Sequence, residues 1–358
     1  MPEKINITLG NLFCIVGLAL SIVLCWQLRS LIVVLMISVV IAATLAPAIT
    51  TAHKLGIPRW LSVIGVYLGL IAIFSGIGLL IGPTVVTQIE RLIRKLPTYL
   101  EVLKSLLDDL IIRVGMSDPE GTSIISQLLD IQGLTSWAIS SSQQLVVRSY
   151  SLTKGIIGSV FSLLLALLLS GYMLSGSEKL LQDIINLFPS PWNTRLFSQI
   201  DPVSQRMGGY IQGRILVSAI LGVVISIGLN FLGLAEFSLG LGVIAGFTNL
   251  IPFFGPVLGS VPALLVAIAQ GGWTALWVFL LFLMIQNLET YVLDPLLVGN
   301  SVKVHPLYQL LAVLGGAQVL GIIGALIVPP WIAGGAVLLE QLYVRPKLIA
   351  EQQFSGQK

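Results

Sequence analysis

The chain alternates between long apolar runs and short polar connectors. A helix needs about 20 apolar residues to cross the roughly 30 Å hydrocarbon layer of a bilayer. Runs of this length predict about eight spans, of which the last is followed by Pro329, Pro330 and an apolar tail to Leu342. The predicted spans are Leu9–Trp26, Leu31–Ile49, Trp60–Ile81, Ile156–Leu174, Ile215–Leu232, Leu239–Ala269, Trp273–Val298 and Leu307–Val328.

The region between the third and fourth spans, residues 83–150, is too polar to cross a bilayer. Charged residues from Glu90 to Arg113 interrupt apolar positions that recur at the spacing of an amphipathic helix. The apolar positions are Val85, Val86, Ile89, Leu92, Ile93, Leu96, Leu100, Leu103, Leu107, Leu110 and Val114. A polar turn at residues 117–121 precedes a second amphipathic stretch. The pattern predicts a helical hairpin outside the hydrocarbon core, packed on neighbouring subunits or lying at the interface.

The composition requires a lipid environment. Of the 358 residues, 56% are hydrophobic and only 10% are charged, and the mean hydropathy is +0.96. A soluble domain cannot bury that much apolar surface. The predicted fold class is therefore an all-α integral membrane protein with membrane lipid as a partner. We expect three spans in residues 1–82, the amphipathic region in 83–150 and a five-segment core in 151–358.

The basic residues predict the orientation. The net charge is +3, but Lys and Arg are scattered among short connectors and form no continuous patch, which excludes nucleic acid as a partner. Only Arg29 and Lys303 fall in short loops on one side. The other side, with both termini and the connector that includes Arg206 and Arg214, is therefore predicted to be cytoplasmic, and residues 83–150 to lie outside.

The sixth segment is unusual because Pro252, Pro256 and Pro262 prevent one continuous helix. Its halves are each about half the thickness of the bilayer core, so the break falls at mid-depth, beside Asn249. Broken backbone is tolerated at that depth only beside protein or a water-filled cavity, and transporters hold solutes or ions there. The alternatives are a kinked packing helix, or a re-entrant hairpin that would change the side of the carboxyl terminus.

The seventh span carries a polar stripe. Gln286, Asn287, Thr290, Tyr291 and Asp294 fall on one arc at 100° per residue, with Glu289 just beyond it. A carboxylate inside a span marks a solute or ion pathway by default, so Glu289 is the first functional candidate. Alternatively, Glu289 and Asp294 lie near the interface and pair with Lys303 or His305. For His305 itself, the choice is between a proton carrier and a structural residue before a proline.

Several classes of chemistry lack the residues that they need. The sequence contains no Walker motif, no HExxH and no serine nucleophile with a placed histidine. Two histidines and two cysteines, Cys14 and Cys25 on one span, cannot form a metal-binding cluster. We therefore expect no enzymatic activity, no cofactor and no metal.

Nearly the whole chain resembles a known family, and the resemblance is most specific in the carboxyl-terminal part. The segments NLIPFFGPVLGSVPALLVA and QNLETYVLDPLLVGNSVKVHPLYQLLAVLGGAQVLGIIGALIVPP look like those of the autoinducer-2 exporter (AI-2E) family of PerM-like permeases. YIQG, at residues 210–213, resembles the preceding family segment. The resemblance implies a multi-pass transporter of the bacterial inner membrane that forms homo-oligomers. Members are associated with export of autoinducer-2, and some with exchange of sodium or lithium for protons.

The leading hypothesis is a cofactor-free secondary transporter, an exporter or permease of a small solute that could be autoinducer-2-like. The alternatives are a monovalent cation/proton antiporter and a non-transporting envelope scaffold that uses the outer hairpin. Glu289 and His305 are the candidates for ion or proton coupling. The residues expected to line the path are Asn249, Pro252, Gly255, Pro256, Gln286, Asn287, Glu289, Thr290 and Asp294.

Overall fold

The computed structural model describes residues 16–114 (apart from 18, 19, 22 and 25), 149–299 and 305–355, and all regular structure in these ranges is helical. The prediction of an all-α chain is therefore confirmed. The helices are α1 (Arg29–Lys54), α2 (Arg59–Val114), α3 (Ser149–Ser175), α4 (Ser177–Ile185), α5 (Trp192–Phe197), α6 (Ile200–Phe231), α7 (Ser238–Thr248), α8 (Phe254–Gln270), α9 (Gly272–Leu288), α10 (Pro306–Leu339) and α11 (Arg345–Ser355).

Within the described residues, five helical stretches are long and apolar enough to cross a membrane, or six if a bent pair in α3 and α4 is one span. The stretches are Arg29–Lys54, Arg59–Leu106, Trp192–Phe231, Gly272–Val298 and Pro306–Ile349. These findings support a multi-pass membrane protein, but the predicted number of about eight spans is not confirmed. Most of the first predicted span lies outside the described residues. The turn at residues 117–121 lies wholly outside them.

Helix α2 joins two regions that the sequence pattern separates. The third span and the first half of the amphipathic region form one helix of 56 residues that runs through Pro83 and Pro97. At 1.5 Å per residue its length is about 84 Å, far more than the bilayer core. Val85, Leu92 and Leu100 of the predicted apolar face are buried, whereas Val86 is 56% exposed, so only part of that face is packed. The second half of the predicted hairpin lies outside the described residues.

Helix α6 begins earlier than expected. The predicted fifth span started at Ile215, whereas α6 runs from Ile200 to Phe231. The predicted connector thus contains α4, α5 and the first turns of α6. This moves Arg214 from a cytoplasmic loop to the middle of a helix, where it is buried. The sequence prediction was wrong here because the charged residues Asp201 and Arg206 were interpreted as loop residues.

The sixth segment is a helical hairpin, which excludes a single kinked helix and agrees with the predicted break in the middle of the segment. The break predicted near Pro252–Pro256 occurs at residues 249–253, between α7 and α8. A side chain added at Gly259 would collide with Ala245, and one at Gly255 with the carbonyl of Thr248. The backbones of the two helices therefore lie close together at these glycines. The chain folds back on itself. Pro256 lies in the first turn of α8, where proline is tolerated, and Pro262 is inside that helix.

The turn of this hairpin is held by its own polar groups. The hydroxyl of Thr248 donates to the carbonyl of Gly255 at 3.0 Å, and the Gly255 amide donates to the Ile251 carbonyl at 2.9 Å. Phe253 has a φ of 67°, a left-handed conformation that is unfavourable for a large aromatic residue. The turn therefore stores backbone strain at the tip of the hairpin.

A second reversal occurs inside the segment predicted as the eighth span, Leu307–Val328, which belongs to the apolar stretch Pro306–Ile349. Inside α10, Gly321 has φ 65° and ψ −149°, which are not helical values. An unbroken helix would separate Gly316 and Gly324 by about 12 Å. A side chain at either glycine would instead collide with the backbone of the other. The chain therefore forms a second hairpin, and Pro329 and Pro330, which were expected to interrupt the helix, lie inside its returning half.

The predicted seventh span is found at its expected bounds, but its geometry changes midway. Residues 272–288 form the α-helix α9, and Glu289–Val298 continue it as a π-helix. The wider π-helical turn changes which residues share a face. Glu289 is buried, whereas Gln286, Asn287, Thr290 and Tyr291 are exposed. Of these five polar residues, Glu289 is thus the one whose side chain is enclosed by the protein.

The largest buried cluster surrounds α6. Its members include Val217, Leu221 and Leu229 of α6, packed with residues of α7, α8 and α9. Glycines allow α6 and α7 to approach closely, since a side chain at Gly246 would lie 2.9 Å from the Ser218 carbonyl. The first hairpin is thereby held against α6 and α9, with its tip pointing toward Arg214 and Glu289.

We predict that Gly316→Ala destabilises the protein, because the new methyl group would collide with the Gly324 carbonyl. Overpacking of this kind typically costs about 1–3 kcal/mol. Gly315→Ala is the matched control, since its methyl group would meet nothing within 4 Å. Thermal unfolding in detergent measures both variants. Equal melting temperatures for the two would contradict the hairpin.

Candidate functional site

A cluster of buried polar side chains lies where α6, the tip of the first hairpin and the π-helical part of the seventh span meet. Arg214 comes from α6, Asn249 follows the last residue of α7, and Glu289 begins the π-helix. Each is only 2–3% exposed. Polar groups buried to this extent are expensive unless they are paired, so their contacts determine whether the site is stable.

The central contact is an ion pair between Arg214 and Glu289. Nη1 of Arg214 lies 3.0 Å from Oε1 of Glu289. Because both side chains are excluded from solvent, their attraction is screened much less than that of a surface pair. The pair joins α6 to the seventh span.

Asn249 joins the hairpin tip to the same pair. Its amide nitrogen donates to Oε1 of Glu289 at 3.1 Å, and its amide oxygen accepts from Nη2 of Arg214 at 3.5 Å. An amide suits this position because it supplies a donor to the carboxylate and an acceptor to the guanidinium. The tip of the hairpin is therefore held by hydrogen bonds to both charges.

Asp294 is a second carboxylate on the same arginine. Its Oδ1 lies 3.3 Å from Nη1 of Arg214, and 40% of its side chain is exposed. Glu289 and Asp294 are five residues apart, which is the hydrogen-bond spacing of a π-helix, so the π-helical turn lets both reach one guanidinium. With all three groups ionised, one positive charge faces two negative charges. The cluster then has a surplus negative charge on its more exposed side.

Two buried polar atoms beside the cluster have no hydrogen-bond partner among the residues that the structure describes. They are Nε of Arg214 and Oγ of Ser218, one helical turn away on α6. Close by, a small cavity of about 20 Å³ is lined by Asn249, Glu289 and Gln286 together with apolar residues that include Pro256. This volume accommodates about one water molecule. The cluster is thus adjacent to space that a small polar species can occupy.

The structure brings together only some of the predicted path residues. Asn249, Pro256, Gln286, Glu289 and Asp294 are in the cluster or its cavity. Pro252 and Gly255 are buried and shape the hairpin turn.

Two predicted path residues of the seventh span bond only within their own helix. The Asn287 amide donates to the Leu283 carbonyl at 2.7 Å. Thr290 accepts a hydrogen bond from Gln286 at 3.3 Å. Both side chains are exposed, and these two hydrogen bonds do not reach Arg214, Asn249 or Glu289.

His305 caps the amino terminus of α10. Its Nδ1 accepts from the amide of Leu307 at 3.3 Å at the start of α10, and its ring packs edge-on against Tyr308. These contacts favour the structural interpretation of His305 over a proton carrier. Among the described residues, no three His, Cys, Asp or Glu side chains could hold a metal ion.

Arg214 is the residue that the sequence analysis missed. It was assigned to a cytoplasmic connector, so Glu289 was left without a partner except Lys303 or His305. A signal was present, since Asp201 and Pro202 are typical of a first helical turn. From there no further proline follows before Leu232, so the helix could have been extended through Arg214.

Comparison with known proteins identifies similar chains. A family model described as AI-2E family transporter matches residues 12–343. "Putative transport protein YrrI" of Bacillus subtilis is 31% identical over 313 residues, which cover 85% of this chain and 84% of that protein. "Putative permease PerM" of Escherichia coli is 27% identical over 186 residues, 51% of this chain and 52% of that protein. These names are those of transport proteins and permeases, and no enzymatic family is indicated.

We predict that Arg214→Leu lowers the free energy of unfolding by about 3–5 kcal/mol, because it leaves Glu289 buried without a cation. The double variant Arg214→Leu/Glu289→Leu should lose less, since no unpaired charge remains in the interior. Arg94→Leu is the control, because Arg94 pairs with Glu90 on the surface with 79% of its side chain exposed. Denaturant unfolding in detergent measures all three. A double variant less stable than Arg214→Leu would contradict the buried pair.

Proposed function

The chain belongs to the AI-2E transporter family, and from this premise we propose that it is a cofactor-free secondary transporter of a small polar solute. We place it in the bacterial inner membrane as a homo-oligomer, as the family resemblance implies. The proposed solute is autoinducer-2-like, a small hydroxylated molecule. Transport is the property shared with the family, and the coupling, the solute and the path are the proposal.

The observation that carries the proposal is the buried cluster of Arg214, Glu289 and Asn249 at the tip of a helical hairpin. Ionisable residues inside membrane spans are expensive, pair with one another and mark solute or ion pathways. Hairpin tips and broken helices at membrane depth are tolerated where they line a cavity. Both features occur at one place in this chain, where α6, the first hairpin and the seventh span meet.

The chemistry of the cluster supports a solute with hydroxyl groups. Nε of Arg214 is a donor that no described residue pairs with, and Oγ of Ser218 can donate or accept. The carboxylates of Glu289 and Asp294 supply acceptors. A polyhydroxylated solute matches such a mixture of donors and acceptors better than an apolar one, which would leave these groups unpaired. The present cavity holds only about one water, so we infer that the hairpin moves to admit the solute.

A specific observation favours a second candidate, a monovalent cation/proton antiporter. Two carboxylates share one arginine, and Asp294 is the more exposed of the two. A proton or a monovalent cation could neutralise the surplus negative charge. In this alternative, the exchanged ions bind at Asp294 and Glu289 and no organic solute is needed.

We expect Glu289→Gln to abolish solute-driven proton movement in proteoliposomes, because the amide that replaces the carboxylate can neither bind nor release a proton. Purified protein is reconstituted with an internal pH dye, and an autoinducer-2-like polyol, sodium or lithium is applied outside. Movement with the polyol alone indicates the solute transporter, and movement with sodium or lithium alone indicates the antiporter.

Glu340→Gln is the control for this assay. Glu340 is a half-exposed carboxylate that pairs with Arg345 near the carboxyl terminus, and its substitution should leave the movement unchanged. Equal movement in Glu289→Gln and wild type would contradict the proposed path. Absence of movement in folded wild-type protein, with every solute, would favour the envelope scaffold.

A further inference from the structure

Helix α2 contacts the loop that leads into the first hairpin. Nζ of Lys95 lies 2.9 Å from both carboxylate oxygens of Glu236 and 5.1 Å from the ring centroid of Phe237. Tyr99 packs edge-on against the same ring, with centroids 6.4 Å apart. Phe237, at 1% exposure, is enclosed by these contacts. The base of the hairpin is therefore attached to α2 by charge and by aromatic packing.

A further contact reaches the first turn of α7. The side-chain oxygen of Gln88 accepts from the backbone amide of Gly240 at 2.7 Å. The first amides of a helix have no partner within the helix, and the residue preceding α7, Phe237, supplies no side-chain cap. Gln88 thus caps α7 from another helix, 152 residues away in sequence.

The close approach explains why residue 240 is a glycine. A β-carbon at this position would lie 3.1 Å from Cβ of Gln88. With hydrogen there, Gln88 lies directly beside the start of α7. The contact therefore depends on both helices: α2 supplies the acceptor, and α7 supplies a residue small enough for the close approach.

The capped helix ends at the functional cluster. Helix α7 has 11 residues, about 16 Å at 1.5 Å per residue, and the next residue is Asn249, which bonds to Glu289 and Arg214. A short, straight helix transmits a displacement of its first turn to its last. Movement of α2 relative to α7 is in this way linked to the position of Asn249.

We propose that Gln88 is a positioning residue that holds α7 at the depth where Asn249 contacts the Arg214–Glu289 pair. Through the hydrogen bond of Gln88, α2 controls the position of the hairpin. The positional claim concerns the protein alone, whereas its effect on transport rests on the proposed function.

Two substitutions of Gln88 separate the cap from the volume of the side chain. Gln88→Leu keeps a similar size and removes the acceptor. Gln88→Glu keeps the acceptor, and its negative charge is favourable at a helix amino terminus. We expect amide hydrogen exchange of residues 238–248 to be roughly fivefold faster in Gln88→Leu, as for loss of a typical helix cap, and to match wild type in Gln88→Glu.

The measurement is hydrogen exchange by mass spectrometry on the purified full chain, with peptides from α1 as the internal control for global unfolding. Gln88→Met serves as a second acceptor-free variant if Gln88→Leu does not fold. Amide exchange that is faster only in the hairpin in Gln88→Leu, and equal to wild type in Gln88→Glu, supports the positioning role. Unchanged exchange in the acceptor-free variant overturns it, whatever the transport assay shows.

The transport readout uses the same variants in the proteoliposome assay. In a wild type that transports, Gln88→Leu should slow solute-driven proton movement and Gln88→Glu should restore it. If Gln88→Leu loosens the hairpin but transports at the wild-type rate, the proposed effect of α2 on transport is overturned, and the path through Glu289 is left intact. Loss of transport in Glu289→Gln alone therefore tests a different claim from loss in Gln88→Leu.

Discussion

The constraint on which the structure depends is the cost of placing Arg214 in a nearly dry interior. An arginine stays charged in proteins, so the surrounding helices must supply its counter-charges and acceptors. Glu289 and Asp294 supply the charges, and Asn249 supplies an acceptor. These three residues come from two separate elements, which must therefore meet at α6.

Several irregular features serve this meeting point. The reversal at residues 249–253, with Phe253 strained at φ 67°, carries Asn249 to the arginine. The change to a π-helix at Glu289 allows two carboxylates five residues apart to share it. Strain and irregular helices of this kind are typical of functional sites. Within the described part of the chain, Nε of Arg214 and Oγ of Ser218 have no partner, so the resting arrangement leaves hydrogen-bonding capacity for a ligand or water.

Hydrophobicity predicted much of the fold but not its reversals. The apolar runs identified α1, the seventh span and the apolar face of α2, because burial in lipid acts on composition over some 20 residues. The break beside Asn249 was predicted because proline removes a backbone donor. The turn at Gly321 was not predicted, because no local sequence feature distinguishes Gly321 from the other 35 glycines of the chain. Arg214 was missed because a charged residue near a connector was assumed to be in water.

The most direct test asks whether water reaches the cluster from the cavity beside Glu289. In a chain without Cys14 and Cys25, a cysteine at Gln286 is treated with a charged, membrane-impermeant thiol reagent. Gln286 lines the cavity, whereas Met284 on the same helix is apolar, 69% exposed and not among the described residues that line the cavity. We expect Met284 to face lipid, and Met284→Cys is therefore the matched control. The account predicts that Gln286→Cys reacts and Met284→Cys does not. Equal reactivity, or none at either position, would contradict a solute path at this cluster.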